Sequence, residues 1–103
     1  MNIQSMLKKA QALQAKMTQV QEELKGKEMI GTAGGGKVKV TMNGGQEVTA
    51  ISIDPDVVKS DEADLLEDLV LAAFRDARAK VTKMVEEEMS RVTGGMGLPP
   101  GLL

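Results

Sequence analysis

Along residues 3 to 25 the apolar side chains fall at Ile3, Met6, Ala10, Leu13, Met17, Val20 and Leu24. The steps alternate between three and four, which puts all of them on one stripe of a helix and repeats a coiled-coil seam for three heptads. Asn2 suits the N-cap and Gly26 the stop, while the remaining positions are mostly Gln and Lys, which favour helix and keep its outer face wet. The period then changes. Val38, Val40 and Met42 alternate with Lys37, Lys39 and Thr41, the two-residue repeat of a half-buried strand. Asn43-Gly44-Gly45 offers positive-φ residues for a hairpin turn, and Glu47 to Ile53 reads as the returning strand, with Ile51 and Ile53 flanking an exposed Ser52. Glu28 to Ala33, ahead of Gly34-Gly35-Gly36, reads as a weaker third strand, and such short connections make the set an antiparallel meander.

Asp54 can cap a short turn begun by Pro55, and Ser60 or Asp61 then opens a long helix reaching about Thr93. Its stretch from Leu65 to Phe74 is apolar nearly all round and is expected to be the most buried part of the protein. The fold class is therefore α+β: an N-terminal helix, a three-stranded antiparallel meander and a long C-terminal helix. Residues 1–93 make one domain, and residues 94–103, rich in Gly and Pro, a flexible tail. Val38, Val40, Met42, Ile51, Ile53, Leu66, Leu69 and Phe74 are the expected core and dimer residues.

Lengths imply a partner. Helices of 23 and 31 residues measure about 35 and 47 Å, whereas a seven-residue strand covers only about 23 Å. Both helices overhang the sheet with their apolar stripes uncovered, and the economical cover is a second copy. A homodimer with projecting helices is expected.

Composition narrows the chemistry. The 103-residue chain has no Cys, His, Trp or Tyr, eight Met, and Phe74 as its single aromatic residue. No disulfide framework, no nitrogen or sulfur metal site and no thiol or imidazole catalyst can be written, so neither enzyme activity, cofactor nor small-molecule substrate is expected. Gln4, Lys8 and Lys9 interrupt the first thirteen residues, so no leader or membrane span is expected there, and the protein should be cytoplasmic.

The net charge is −2 but unevenly spread. Residues 1–41 carry seven Lys against three Glu, residues 42–74 eight acids against Lys59, and residues 75–103 five basic against four acidic groups. A polyanion would have to meet a local patch.

Five blocks in order, Met6-Leu7-Lys8-Lys9-Ala10-Gln11, Val38-Lys39-Val40-Thr41-Met42-Asn43-Gly44, Ile53-Asp54-Pro55, Leu65-Leu66-Glu67-Asp68-Leu69-Val70 and Gly95-Met96-Gly97-Leu98-Pro99-Pro100-Gly101, resemble the YbaB/EbfC family of bacterial nucleoid-associated proteins. The resemblance covers essentially the whole chain. It implies a small cytoplasmic homodimer whose sheets meet at the centre and whose helices project like tweezers. It also implies binding to double-stranded DNA in the nucleoid, with effects on nucleoid organisation and expression.

The family offers no fixed set of contact residues to transfer, so candidates come from charge and helix geometry. Lys8, Lys9 and Lys16 lie in a stretch with no acid before Glu22, and Lys9 and Lys16 share one flank of the seam. They can track phosphates, or they can be the solvated flank of a coiled coil. Arg75, Arg78 and Lys83, with Lys80 between them, form a second basic cluster, whose alternative is ion pairing with acids on the same helix. Lys37 and Lys39 also serve to discourage edge pairing. Gly31 to Lys37 imitates a phosphate loop, but Val38 replaces the hydroxyl residue and a strand, not a helix, follows. The acids from Asp54 to Asp68 lack calcium-loop spacing and suit helix-dipole compensation, so no metal is expected. With no aromatic platform, single-strand stacking is disfavoured and duplex backbone contact favoured. A coiled-coil adaptor or chaperone-like protein-binding module is the alternative.

Overall fold

The computed structural model describes residues 2–95. Helix α1 (Ile3–Lys25) is followed by strands β1 (Glu28–Ala33), β2 (Val38–Asn43) and β3 (Val48–Ile53), then by two single 3-10 turns and helix α2 (Ala63–Gly95). The three strands form an antiparallel meander in the order β1-β2-β3.

Local chemistry explains most boundaries. Asn2 Oδ1 accepts the Gln4 N–H at 3.0 Å and caps α1. At the other end Gly44 N–H donates to the carbonyls of Leu24 (2.9 Å) and Lys27 (3.0 Å), so the β2–β3 turn holds the end of α1. This is why position 44 is glycine: a Cβ there would stand 2.4 Å from the Leu24 carbonyl oxygen. The expected positive φ in Asn43-Gly44-Gly45 is not found; it falls instead on Gln46, at 62°. Asn43 O accepts the Gln46 N–H at 2.9 Å, and Asn43 Oδ1 accepts the N–H groups of Gly45 (2.9 Å) and Glu47 (3.1 Å). The asparagine side chain thus organises a three-residue loop that places its last residue in the left-handed region.

Asp54 caps the first 3-10 turn, as its position before Pro55 predicts. The long helix starts later than expected. Ser60–Glu62 forms a 3-10 turn with no side-chain cap, and α2 begins at Ala63, where Asp61, Glu62 and Asp64 complement the positive helix end. At its other end α2 continues through Gly95; the rest of the expected tail, residues 96–103, lies outside the described residues.

Helix α2 lies across one face of β1 and β2. Val38, Val40 and Met42 of β2 pack against Ala73, Ala77 and Val81 of α2, all essentially inaccessible to solvent. Contact with β1 is closer still: a Cβ on Gly31 would sit 2.1 Å from Ala77 N and 2.3 Å from Ala73 O. Glycine facing alanines brings strand and helix backbones together. Leu66, Leu69 and Phe74 are partly buried at the margin of this core, so the expectation holds for them only in part.

In the single chain two apolar stretches are more exposed than a core would be. Ile51 and Ile53 are 54% and 37% exposed, and all six residues of β3 are exposed. They pair with Val40 and Val38 and share the helix-facing side of the sheet, but α2 covers β1 and β2 and stops short of β3. The stretch from Leu65 to Phe74 is likewise not the most buried: Leu65 and Leu71 are exposed, because the first turns of α2 run beside uncovered β3 rather than over a sheet.

The molecule is long. It measures 69 × 20 × 17 Å with a radius of gyration of 19.2 Å, against about 13 Å for a compact domain of this length. Helix α2 spans about 50 Å, so α1 carries the structure beyond it. Leu24 shares a surface with Val85 and Met89 of α2, while Ile3, Met6 and Leu7 at the far end of α1 are exposed. The projecting arm is observed.

Candidate nucleic-acid interface

The cations fall into two groups. Four are held in ion pairs: Lys25 with Glu22 (3.4 Å), Lys27 with Glu88 (3.1 Å), Arg91 with Glu88 (3.3 Å) and Lys80 with Asp76 (3.1 Å). One of these pairs joins elements, and another, within α2, holds β1 through backbone hydrogen bonds. Lys27, ahead of β1, reaches Glu88 on α2; its hydrogen bond, followed by the charges of Arg91 and Lys27, holds the Glu88 carboxyl below its ordinary pKa. Asp76 accepts the Thr32 backbone N–H at 2.9 Å, and Lys80 donates to the Ile30 carbonyl at 3.0 Å. The Thr32 hydrogen bond, then that from Lys80, lowers the Asp76 pKa. Lys80 therefore leaves the basic cluster expected from the sequence and becomes part of a clamp on the free edge of β1. The Asp76–Lys80 spacing of four was the available signal, but nothing local showed that a strand edge would lie beneath it.

The second group comprises Lys8, Lys9, Lys16, Lys37, Lys39, Lys59, Arg75, Arg78 and Lys83. Each is exposed and none makes an ion pair among the described residues. All six cations singled out for DNA belong to it. The pairing of Arg75 or Lys83 with a glutamate on the same helix, the alternative above, does not occur.

These six form two surfaces. Lys8, Lys9 and Lys16 line the projecting arm, where the first acid is Glu22. Arg75, Arg78 and Lys83, with Ala79, Thr82 and Glu86, surround a shallow groove of about 410 Å³ on the face of α2 turned away from the sheet. The Lys8 end of the arm and Arg78 are about 35 Å apart along the long axis, from helix rise counted through the Leu24–Val85 level. The structure does not bring the two clusters together in one chain.

Other signals are absorbed by the fold. Gly34, Gly35 and Gly36 have φ of 63°, 69° and 92° and simply turn β1 into β2. The acids from Asp54 to Asp68 lie around the two 3-10 turns and the start of α2, and no group of three potential ligands suits a metal among the described residues. No described helix is long and apolar enough to cross a membrane. Phe74 is half-buried in an apolar groove of about 580 Å³ with Ile53, Leu66, Val70 and Leu71, beside β3. That groove escaped the sequence reading, because apolar spacing marks a face without naming what covers it.

Known proteins resemble this chain in sequence and, in one case, in fold. A nucleoid-associated protein of Rhodospirillum rubrum is 50% identical over 101 residues, covering 98% of this chain and 94% of that protein. One of Nitrobacter hamburgensis is 52% identical over 97 residues, covering 94% and 92%. The crystal structure of an uncharacterized Helicobacter pylori protein superposes with a TM-score of 0.71 over 93% of this chain and 97% of that one, at 24% identity, which establishes the shared fold. The sequence model of the YbaB/EbfC DNA-binding family matches residues 1–96, end to end with the helix–meander–helix unit described above, and the chain belongs to that family.

Proposed function

We propose that this protein acts as a homodimer that binds double-stranded DNA through backbone charge and shape, in the bacterial nucleoid, and thereby influences nucleoid organisation and gene expression. The observation that carries this reading is the division of the cations. Those that join elements or brace a helix are paired, whereas Lys8, Lys9, Lys16, Arg75, Arg78 and Lys83 project from two helices with no ion-pair partner among the described residues. Unpaired lysines and arginines on convex helices can replace the counterions condensed on a duplex without first breaking a bond within the protein. Helix faces without aromatic side chains suit phosphate contact and leave base readout weak. The relatives' description as nucleoid-associated proteins agrees.

The homodimer is supported by β3 and the neighbouring groove, where Ile51, Ile53, Leu71 and an unpaired strand edge leave apolar surface and backbone groups uncovered. A second copy related by a two-fold axis covers like with like. It also doubles the number of basic surfaces.

The test is a duplex titration at several salt concentrations. Contact with four to six phosphates gives a log–log slope of about −4 to −5. Replacing Lys8, Lys9 and Lys16 by Gln should make the slope shallower by about one unit per lost phosphate contact and leave the particle mass unchanged. Absent or salt-insensitive binding would sink the reading and favour a protein-binding adaptor.

A further inference from the structure

The face of α2 turned away from the sheet carries its two signs of charge in separate halves. Asp64 and Asp68 precede Arg75 by eleven and seven residues, three helical turns and two, so the three stand within about 20° of one line along the helix. Arg78 lies beside that line, and Arg75 and Arg78 border the shallow groove over Ala79 and Thr82. All four charged groups are exposed, and none makes an ion pair among the described residues. The helix itself offers no partner: three and four residues from either aspartate there is no cation, and three and four residues from either arginine no acid. Each group meets its own sign instead, Asp64 four residues from Asp68 and Arg75 three from Arg78, spacings at which like charges repel. A solvated helix face is ordinarily eased by interleaving the signs. Here they are segregated, with the exposed Ala72 between the halves.

We infer that this face pairs, antiparallel, with the same face of a second copy, so that Asp68 and Asp64 of each helix meet Arg75 and Arg78 of the other. A two-fold axis passing between Leu71 and Ala72 sets position 68 at the height of position 75 and position 64 at the height of position 79, next to Arg78. Charge selects this partner. A parallel copy sets aspartate against aspartate and arginine against arginine, and a polyanion satisfies the arginines while repelling the aspartates. A copy running the other way relieves both halves at once. Ala72 and Ala79, being small, let the second helix come close enough for the charged side chains to reach across. The contact lies on the opposite side of α2 from the sheet and so does not depend on how β3 is covered. Once formed, it closes the groove at Arg75 and Arg78. Under the duplex reading above, a phosphate backbone and a second copy therefore compete for the same arginines; the pairing itself does not rest on that reading.

Sedimentation equilibrium of the full chain tests the pairing. At about 0.01 M salt, where charges act over about 30 Å, the wild-type protein should have at least about twice the mass it has at about 1 M, where they act over about 3 Å. Arg75→Glu/Arg78→Glu leaves the four paired positions all acidic, and Asp64→Arg/Asp68→Arg leaves them all basic, so each variant alone should keep the high-salt mass at low salt. Mixed in equal amounts, the two should regain the larger mass, with an affinity at least about tenfold that of either alone. Both should keep the wild-type helical signal, and the milder Arg75→Gln/Arg78→Gln should also stay at the high-salt mass. A wild-type mass indifferent to salt overturns the proposal without any variant. So does a reversed variant that still associates alone, or a mixture of the two folded variants that does not associate. A short duplex added at low salt should bring bound wild-type protein down to its high-salt mass, and duplex binding with the larger mass retained overturns the competition. If no duplex binds, the duplex reading fails by itself, and the salt and mixing results still decide the pairing.

Discussion

The two edges of the sheet are built in opposite ways. At β1 the outward Thr32 N–H is bonded to Asp76, the Ile30 carbonyl receives Lys80, and Gly31 lies against the backbone of α2. At β3 every residue is exposed, and Ile51 and Ile53 continue the apolar face of Val40 and Val38 with nothing over them. An edge strand is an open template for another chain, and proteins commonly blunt such edges with charged side chains or a covering element. The difference bears on the proposed association: β3 is open to a second copy, whereas at β1 that copy would first have to displace a charged clamp. In the proposed dimer, specificity would come as much from closing one edge as from exposing the other.

Opening the blocked edge has the largest expected effect. Gly31→Ala forces β1 away from Ala73 and Ala77, and unfolding free energy by urea denaturation should fall by about 3 kcal/mol. A loss near zero would mean that strand and helix are not in backbone contact. Next comes the bare edge. Ile51→Lys/Ile53→Lys would set like charges across the proposed two-fold contact, so the proposed dimer should dissociate about a hundredfold more readily while helical content is retained. A dimer undisturbed by this change would move the interface elsewhere. The smallest effect is electrostatic. Asp76 and Glu88 have folded pKa values below their ordinary ones, so both bind protons less readily folded than unfolded. Their contribution is complete above the unfolded carboxylate pKa and disappears as pH falls through the lowered folded values. Stability should therefore decline on the acid side, and Asp76→Asn should make that decline shallower without steepening it near neutrality. An unchanged acid limb would deny the clamp any part in holding β1.

The elements were legible because their causes are local. Asn2 and Gly26 mark both ends of α1, and the alternation through Val38, Val40 and Met42 gives β2 together with its buried face. Ile51 and Ile53 obey the same alternation and are exposed, because a period of two states that a strand has an apolar side and leaves the covering element undetermined. Likewise Arg75, Arg78, Lys80 and Lys83 look equivalent in sequence. Only the position of β1 beneath α2 separates Lys80, which is engaged, from the other three. Gln46 was illegible for a different reason: two glycines next to it were the natural owners of the positive φ, but Gly44 was reserved by the close approach of Leu24.

The bond between the β2–β3 turn and the end of α1 has a mechanical consequence. The arm is a lever about 35 Å long, stiff along its length and fixed at its base. Its backbone fastening outside the chain connection is Gly44, whose N–H grips the carbonyls of Leu24 and Lys27. A sideways pull at the tip is therefore delivered as torque to the hairpin that leads directly into β3. Load on the far end of the arm therefore reaches the edge strand β3 by way of the two hydrogen bonds of Gly44, alongside the packing of Leu24 on α2.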